Sequence, residues 1–137
     1  MRLLLVDNSN TRTKFAIASG EILENDIVRI PTEELDHGVV EDLQQHFNFD
    51  ASVICSVVPA KARILHASLA SKPLHVINYR SQLPIGIDYP APDQIGADRL
   101  ANAVAAYQQW GTSTVVIDFG TAVTFDVVGE VDEHPCY

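Results

Sequence analysis

Two stretches of this sequence end an apolar strand in a carboxylate and follow it with hydroxyl and amide side chains. Leu4-Leu5-Val6-Asp7-Asn8-Ser9-Asn10-Thr11-Arg12-Thr13 falls on Val115-Val116-Ile117-Asp118-Phe119-Gly120-Thr121-Ala122-Val123-Thr124 when the chain is shifted by 111 positions. Such a pattern suits phosphate handling. A carboxylate at a strand end can hold a hydrated cation, a small residue lets the backbone approach a phosphate, and turn N–H groups with Thr or Asn side chains donate to its oxygens. One such hairpin is ordinary, because Asp, Asn, Ser and Gly are common turn residues. Two matched copies flanking a helical unit suggest a two-lobed nucleotide clamp, without naming a substrate. A third group, Gly96-Ala97-Asp98-Arg99, opens a helix. Asp98 in the first turn suits the helix macrodipole and equally suits a base. Arg99 is either a solvated helix residue or a guanidinium that grips a carboxylate by two parallel bonds. Lys14 alternates outward from Phe15 and reads as an exposed lysine or a phosphate contact.

Positioning these residues requires a sheet with helices on it. The pattern predicts strands at 2–7, 12–18 and 22–30, then a helix from Thr32 to about Phe47 with Leu35, Val39, Leu43 and Phe47 as its apolar stripe. A strand at 52–58 follows, then a helix opened by Pro59, where proline is tolerated. After a short strand at 74–78, residues 79–93 hold three prolines and form a loop long enough to suggest function. A helix over 94–110 places Leu100, Ala103, Val104, Tyr107 and Trp110 on one face and stops at Gly111, and strands 114–118 and 122–128 complete the pattern. The order βββαβαβα then ββ predicts an α/β mixed sheet, in the layout of an actin-like (ribonuclease-H-like) domain at 1–112 followed by the opening hairpin of a second lobe at 113–137. A lone two-stranded ribbon at 114–128 is marginal, and Val115, Ile117, Val123, Phe125 and Val127 would then face water.

Composition narrows the partners. Hydrophobic residues make up 47% and charged residues 20% of the chain, as in soluble globular proteins. Nine Lys+Arg against eighteen Asp+Glu, a net charge of −9, argue against a nucleic-acid backbone as main partner. Apolar runs such as Leu3 to Val6 are far short of a membrane span. Cys55 and Cys136 form no CxxC pair, Cys55 reads as a reduced core residue, and the five histidines lack metal-ligand spacing. A cytoplasmic protein is the expectation.

Four segments together resemble the type III pantothenate kinases: Asp7 to Lys14 as a first phosphate motif, Ser56-Val57-Val58-Pro59, Gly96-Ala97-Asp98-Arg99-Leu100-Ala101-Asn102, and Asp118-Phe119-Gly120-Thr121-Ala122 as a second phosphate motif. The resemblance implies ATP-dependent phosphorylation of pantothenate, the first step towards coenzyme A. It implies that Asp7, Asn8, Ser9, Asn10, Thr11, Arg12, Thr13, Lys14 and Thr121 bind ATP. Pantothenate would be bound by Tyr89, Gly96, Ala97, Asp98 and Arg99, with Asp98 as the catalytic base. Asp118 would hold a monovalent cation (potassium or ammonium), magnesium would accompany ATP, and the protein would be a homodimer. Two departures stand out. Ser9 replaces a usual glycine, and Gly129 to Tyr137 lack the family's glycine-rich continuation. The chain therefore reads as an N-terminal portion, inactive alone. Competing readings are a non-catalytic regulatory or assembly protein that keeps the clamp for binding, and another small-molecule kinase of the superfamily.

Overall fold

The apolar run at the N-terminus forms β1 (Arg2–Asn8), the central strand of a five-stranded sheet. This computed structural model describes all residues, Met1–Tyr137, and the chain divides into two units, Met1–Ile77 and Asn78–Tyr137. In the first unit β1 pairs antiparallel with β2 (Arg12–Ser19), which pairs antiparallel with β3 (Ile22–Pro31). On its other edge β1 pairs parallel with β4 (Ala51–Ser56), and β4 with β5 (Leu74–Val76). The parallel connections need crossovers, and helices α1 (His37–His46) and α2 (Pro59–Leu69) lie in them. Alternation decides the faces: Leu4 and Val6 are buried where Leu3 and Leu5 are half-buried. With Phe15, Ile17, Ile54, Leu65 and Leu69 they form the core of this unit. Each such side chain contributes roughly 1.5–3 kcal/mol by leaving water.

Helix α1 starts later than its sequence suggested. Thr32–Glu34 makes a single 3-10 turn, and the helix begins after Asp36, whose Oδ1 accepts from the Val39 N–H at 2.9 Å. Thr32 cannot cap it, because its hydroxyl donates to the Ser9 carbonyl at 2.7 Å. Asp is in any case among the best capping residues. The buried stripe is Leu35, Val40, Leu43 and Phe47, with Val39 only partly covered.

In the second unit, α3 (Ala97–Trp110) packs on β6 (Thr114–Phe119) and β7 (Val123–Val131). The expected grouping of residues 1–112 differs from these units for that reason: α3 shares its core with the strands after it. Ala97, Leu100, Ala103 and Ala106 are buried, whereas Trp110, the last helical residue before Gly111 (φ 62°), is 58% exposed and is not core. An additional strand, β8 (His134–Cys136), pairs with β7 through a two-residue turn. Both turn residues, Asp132 (φ 49°) and Glu133 (φ 63°), are left-handed, the backbone that hairpin twist favours but that Asn-Gly usually supplies. β8 then fixes part of the 79–93 segment. Gly86 N–H donates to the Pro135 carbonyl at 2.8 Å, Tyr137 N–H to the Gly86 carbonyl at 3.0 Å, and Asp88 N–H to the Tyr137 carbonyl at 2.9 Å. A Cβ on Gly86 would lie 2.8 Å from Cys136 Sγ, so glycine lets the two backbones meet.

One face of the β6–β7 hairpin is apolar and uncovered. Val115 pairs with Val127, Ile117 with Phe125 and Phe119 with Val123, and all six are exposed, by 47% to 80%. The opposite face carries Asp126 and Val128, both buried. Both cysteines are free, and Cys55 is half-buried rather than core. No helix is long and apolar enough to cross a membrane.

Candidate functional site

The first loop hangs from a buried polar relay. Asn8 and Thr13, the last paired residues of β1 and β2, are both buried. Asn8 Nδ2 donates to Thr13 Oγ1 at 2.7 Å, and Asn8 Oδ1 accepts from Ser56 Oγ at 2.6 Å. Thr13 and Thr32 hydroxyls lie 3.0 Å apart. Since Thr32 gives its proton to the Ser9 carbonyl, the proton between the two threonines is Thr13's. Asn8 and Thr13 therefore lie beneath the loop, and their hydrogen bonds help to shape it.

Above this relay stand Asp7, Ser9, Asn10, Thr11, Arg12 and Lys14. Lys14 Nζ binds Asp7 Oδ2 at 2.8 Å across the strand pair, and Ser9 Oγ donates to Asp7 Oδ1 at 3.2 Å. The serine that replaces glycine thus folds its hydroxyl back onto the carboxylate. Asn10, Thr11 and Arg12 line, with Pro31 and Glu33, an open groove of about 380 Å³. The Asp7–Lys14 pair is more than 40% exposed on both sides, where an ion pair is worth little and exchanges readily.

The start of α3 is built by its pairing with β7. Gly96 is the extended residue before the helix, and Asp98 Oδ1 accepts from the Arg99 N–H at 2.8 Å. Arg99 reaches β7: its Nε donates to Asp126 Oδ1 at 2.5 Å and its Nη2 to the Phe125 carbonyl at 2.8 Å. The same Asp126 oxygen accepts the Tyr137 hydroxyl at 2.8 Å. The Tyr137 ring lies 6.2 Å from that of Tyr89 and 5.7 Å from the Arg99 guanidinium. Burial works against the Arg99 charge, but hydrogen bonding to Asp126 and its negative charge outweigh it and hold the guanidinium above its ordinary pKa. Tyr137 is pushed well above its ordinary value, by burial first and then by donating to the Asp126 carboxylate. The second unit thus gathers Tyr89, Asp98 and Arg99 with two residues the sequence reading missed, Asp126 and Tyr137. The alternation of β7 carried the signal for Asp126: Val123, Phe125 and Val127 share one face, leaving a carboxylate on the other.

The second loop is more open than its copy. Four residues separate Asn8 from Thr13, but three separate Phe119 from Val123, so the two loops do not superpose residue for residue. Asp118 pairs across the strands with Thr124 where Asp7 pairs with Lys14. Asp118, Gly120 and Thr121 are exposed, so burial imposes no need for a cation on Asp118. No three carboxylate, thiol or imidazole groups gather to hold a metal. Lone strand-end carboxylates fit a cation that brings its own phosphate and water oxygens, not a resident ion caged by protein.

The sequence profile of the family described as type III pantothenate kinase matches residues 3–135. The match runs through the 129–135 segment, which had looked unlike the family. Curated proteins carrying that description are similar across this chain. One from Akkermansia muciniphila is 50% identical over 129 residues, 94% of this chain and 53% of its own length. One from Methylacidiphilum infernorum is 40% identical, covering 93% and 46%, and one from Rhodospirillum rubrum 39% identical, covering 93% and 55%. The chain spans about half the length of the curated relatives it matches. Among solved structures, YeaZ from Pseudomonas aeruginosa aligns with a TM-score of 0.43 at 15% identity over 98% of this chain and 62% of its own, below the level at which a shared fold follows.

The Tyr137 shift has a testable sign. The fold favours the neutral phenol, so this contribution is complete below the tyrosine's ordinary pKa near 10 and is lost as pH rises above it. Denaturant melts between pH 8 and 11 should show stability falling more steeply in the wild type than in Tyr137→Phe, by less than one proton's worth of slope because the ring is half-exposed. Parallel slopes would show that the phenol–Asp126 bond does not form in solution.

Proposed function

The chain belongs to the type III pantothenate kinase family, and from that premise we propose that it takes part in the ATP-dependent phosphorylation of pantothenate to 4'-phosphopantothenate, the first step of coenzyme A synthesis. The reaction is proposed for an actin-like, two-lobed protein of the length of its relatives, acting in the cytoplasm. The observation that carries the reading is the start of α3, where a half-exposed carboxylate and a half-exposed guanidinium stand on adjacent residues and β7 anchors the guanidinium. In this reading Arg99 grips the pantothenate carboxylate, a task its planar fork suits better than a lysine would. Tyr89, Gly96 and Ala97 complete that side. Asp98 orients the hydroxyl that attacks ATP and accepts its proton late, the modest help that phosphoryl transfer asks of a carboxylate.

The nucleotide phosphates go to the loops. Lys14 and Arg12 supply charge, Ser9, Asn10, Thr11 and Thr121 supply donors, and Asn8 and Thr13 hold the first loop in shape from below. Lys14 trades part of its contact with Asp7 for a phosphate oxygen. Magnesium enters with ATP, its shell made mostly of phosphate and water oxygens. Asp118 is the proposed ligand of a monovalent cation, potassium or ammonium, which would offset phosphate charge where the second loop has no lysine. The uncovered apolar ladder on β6–β7 also suits the proposed homodimer, because contiguous exposed apolar surface favours association.

Three measurements follow. In a polypeptide completed to the length of its relatives, Asp98→Asn should lower kcat for pantothenate-dependent ADP release by about 10²–10⁴ and leave pantothenate affinity nearly unchanged. Retention of most of the kcat would make Asp98 a capping residue only. Exchanging sodium for potassium at constant ionic strength should raise the rate, and Asp118→Asn should abolish that response. A rate indifferent to every monovalent cation removes the site. Light scattering of the 137-residue chain should give more than the monomer mass of 15.0 kDa at micromolar concentration, and a monomer would set the dimer aside.

A further inference from the structure

Arg99 is held by only part of its donor set. A guanidinium offers five N–H groups. Here Nε is committed to Asp126 and one Nη2 hydrogen to the Phe125 carbonyl. Three remain, all on the two terminal nitrogens, the end of a guanidinium that can meet a carboxylate as a fork. The anchor is rigid. Asp126 is fully buried on the inner face of β7, while the Arg99 side chain keeps 32% of its surface exposed. Tyr137 donates to the same Asp126 oxygen from the adjoining strand end, so that oxygen is held by two donors. Asp126 Oδ2 is buried without a partner, an uncompensated acceptor. Leaving it so costs stability. That cost is what one expects of a residue kept for position rather than for packing.

We infer that Asp126 is the positioning residue that aims the free fork of Arg99, and that it thereby sets the preference of this site for an acceptor bearing a carboxylate. The inference rests on the pantothenate reading above. Asp126 does not touch the substrate. Its charge works against a second carboxylate beyond the guanidinium, so it lowers the raw attraction of Arg99 for any anion. What it supplies is a single direction, in which a planar carboxylate is matched by two charge-assisted bonds and a hydroxyl by one neutral acceptor at most.

Charge and direction can be separated by two substitutions and two ligands. Asp126→Ala removes the anchor, whereas Asp126→Asn keeps an oxygen for Arg99 Nε and removes the charge. The probes are pantothenate and pantothenol, in which a hydroxyl stands in place of the carboxylate, with binding to the polypeptide completed to the length of its relatives measured by titration calorimetry. The wild type should prefer pantothenate, and Asp126→Ala should reduce that preference about tenfold or more, as expected when one charged bidentate contact is lost. Asp126→Asn should keep the preference within about threefold, because a charge-assisted bond weakens but the aim survives. A purely structural role would weaken both ligands alike and leave their ratio unchanged. A preference that survives Asp126→Ala overturns the inference alone. A wild type that binds both ligands equally overturns the pantothenate reading and this inference with it. Should Asp126→Ala fail to fold, Tyr137→Phe reads the same anchor more gently: a ratio shifted towards that of pantothenol supports the inference, and an unaltered ratio overturns it.

Discussion

A primary amide shut away from water must find partners inside the protein, and Asn8 meets that demand by reaching into both neighbouring strands. Its oxygen takes the Ser56 hydroxyl from β4, and its nitrogen reaches Thr13 on β2. Parallel and antiparallel halves of the first sheet are therefore fastened together at the place where β1 leaves the sheet. From Thr13 the relay runs through Thr32 to the Ser9 carbonyl, so the loop is tied from below before any ligand approaches. The direction of each proton in this relay is fixed by the next acceptor. A rigid loop is the result, and rigidity lowers the entropy that ordering a phosphate-binding segment would otherwise cost.

The second unit reaches a comparable end with a charge instead of an amide. Burying Asp126 would be prohibitive alone, and Arg99 and Tyr137 both serve the same oxygen. A buried pair of this kind is weak evidence for stability, because desolvation consumes most of the attraction. Its value lies in where it holds the guanidinium, at the first turn of α3 and beside Asp98. Both units thus spend buried polar groups on the geometry of a neighbouring exposed segment.

Much of this was legible in the residues. The alternation in β1 and β2, proline at the start of α2 and glycine at the end of α3 each reported local backbone physics, and the elements lie where those signals put them. The uncovered ladder of Val115, Ile117, Val123, Phe125 and Val127 was likewise readable from spacing. What escaped depended on tertiary commitments. Thr32 looks like a helix cap until its hydroxyl is seen bound to Ser9, 23 positions away. β8 was hidden by a turn of Asp132 and Glu133, residues that seldom announce left-handed backbone. In the candidate site, Asp98 and Arg99 stood out by their motif, but Asp126 lay within an apolar strand and Tyr137 in a tail without pattern. Sequence shows polarity and not burial, so the part that Asn8 and Thr13 play beneath the loop was not visible in it.

The β6–β7 hairpin carries an inversion: its charged residue faces inward and its apolar ladder outward. Side chains alternate every residue, so sliding β7 by one position would turn Val123, Phe125 and Val127 to the helix and expel Asp126. Hydrophobic burial taken alone favours that slipped arrangement. The native register is therefore a frustrated one, marked out by the grip of Arg99 on Asp126 and closed by the turn that brings Tyr137 to the same oxygen. This unit therefore chooses between two ladders one residue apart, and the native one is the register in which Asp126 meets Arg99, 27 positions away along the chain.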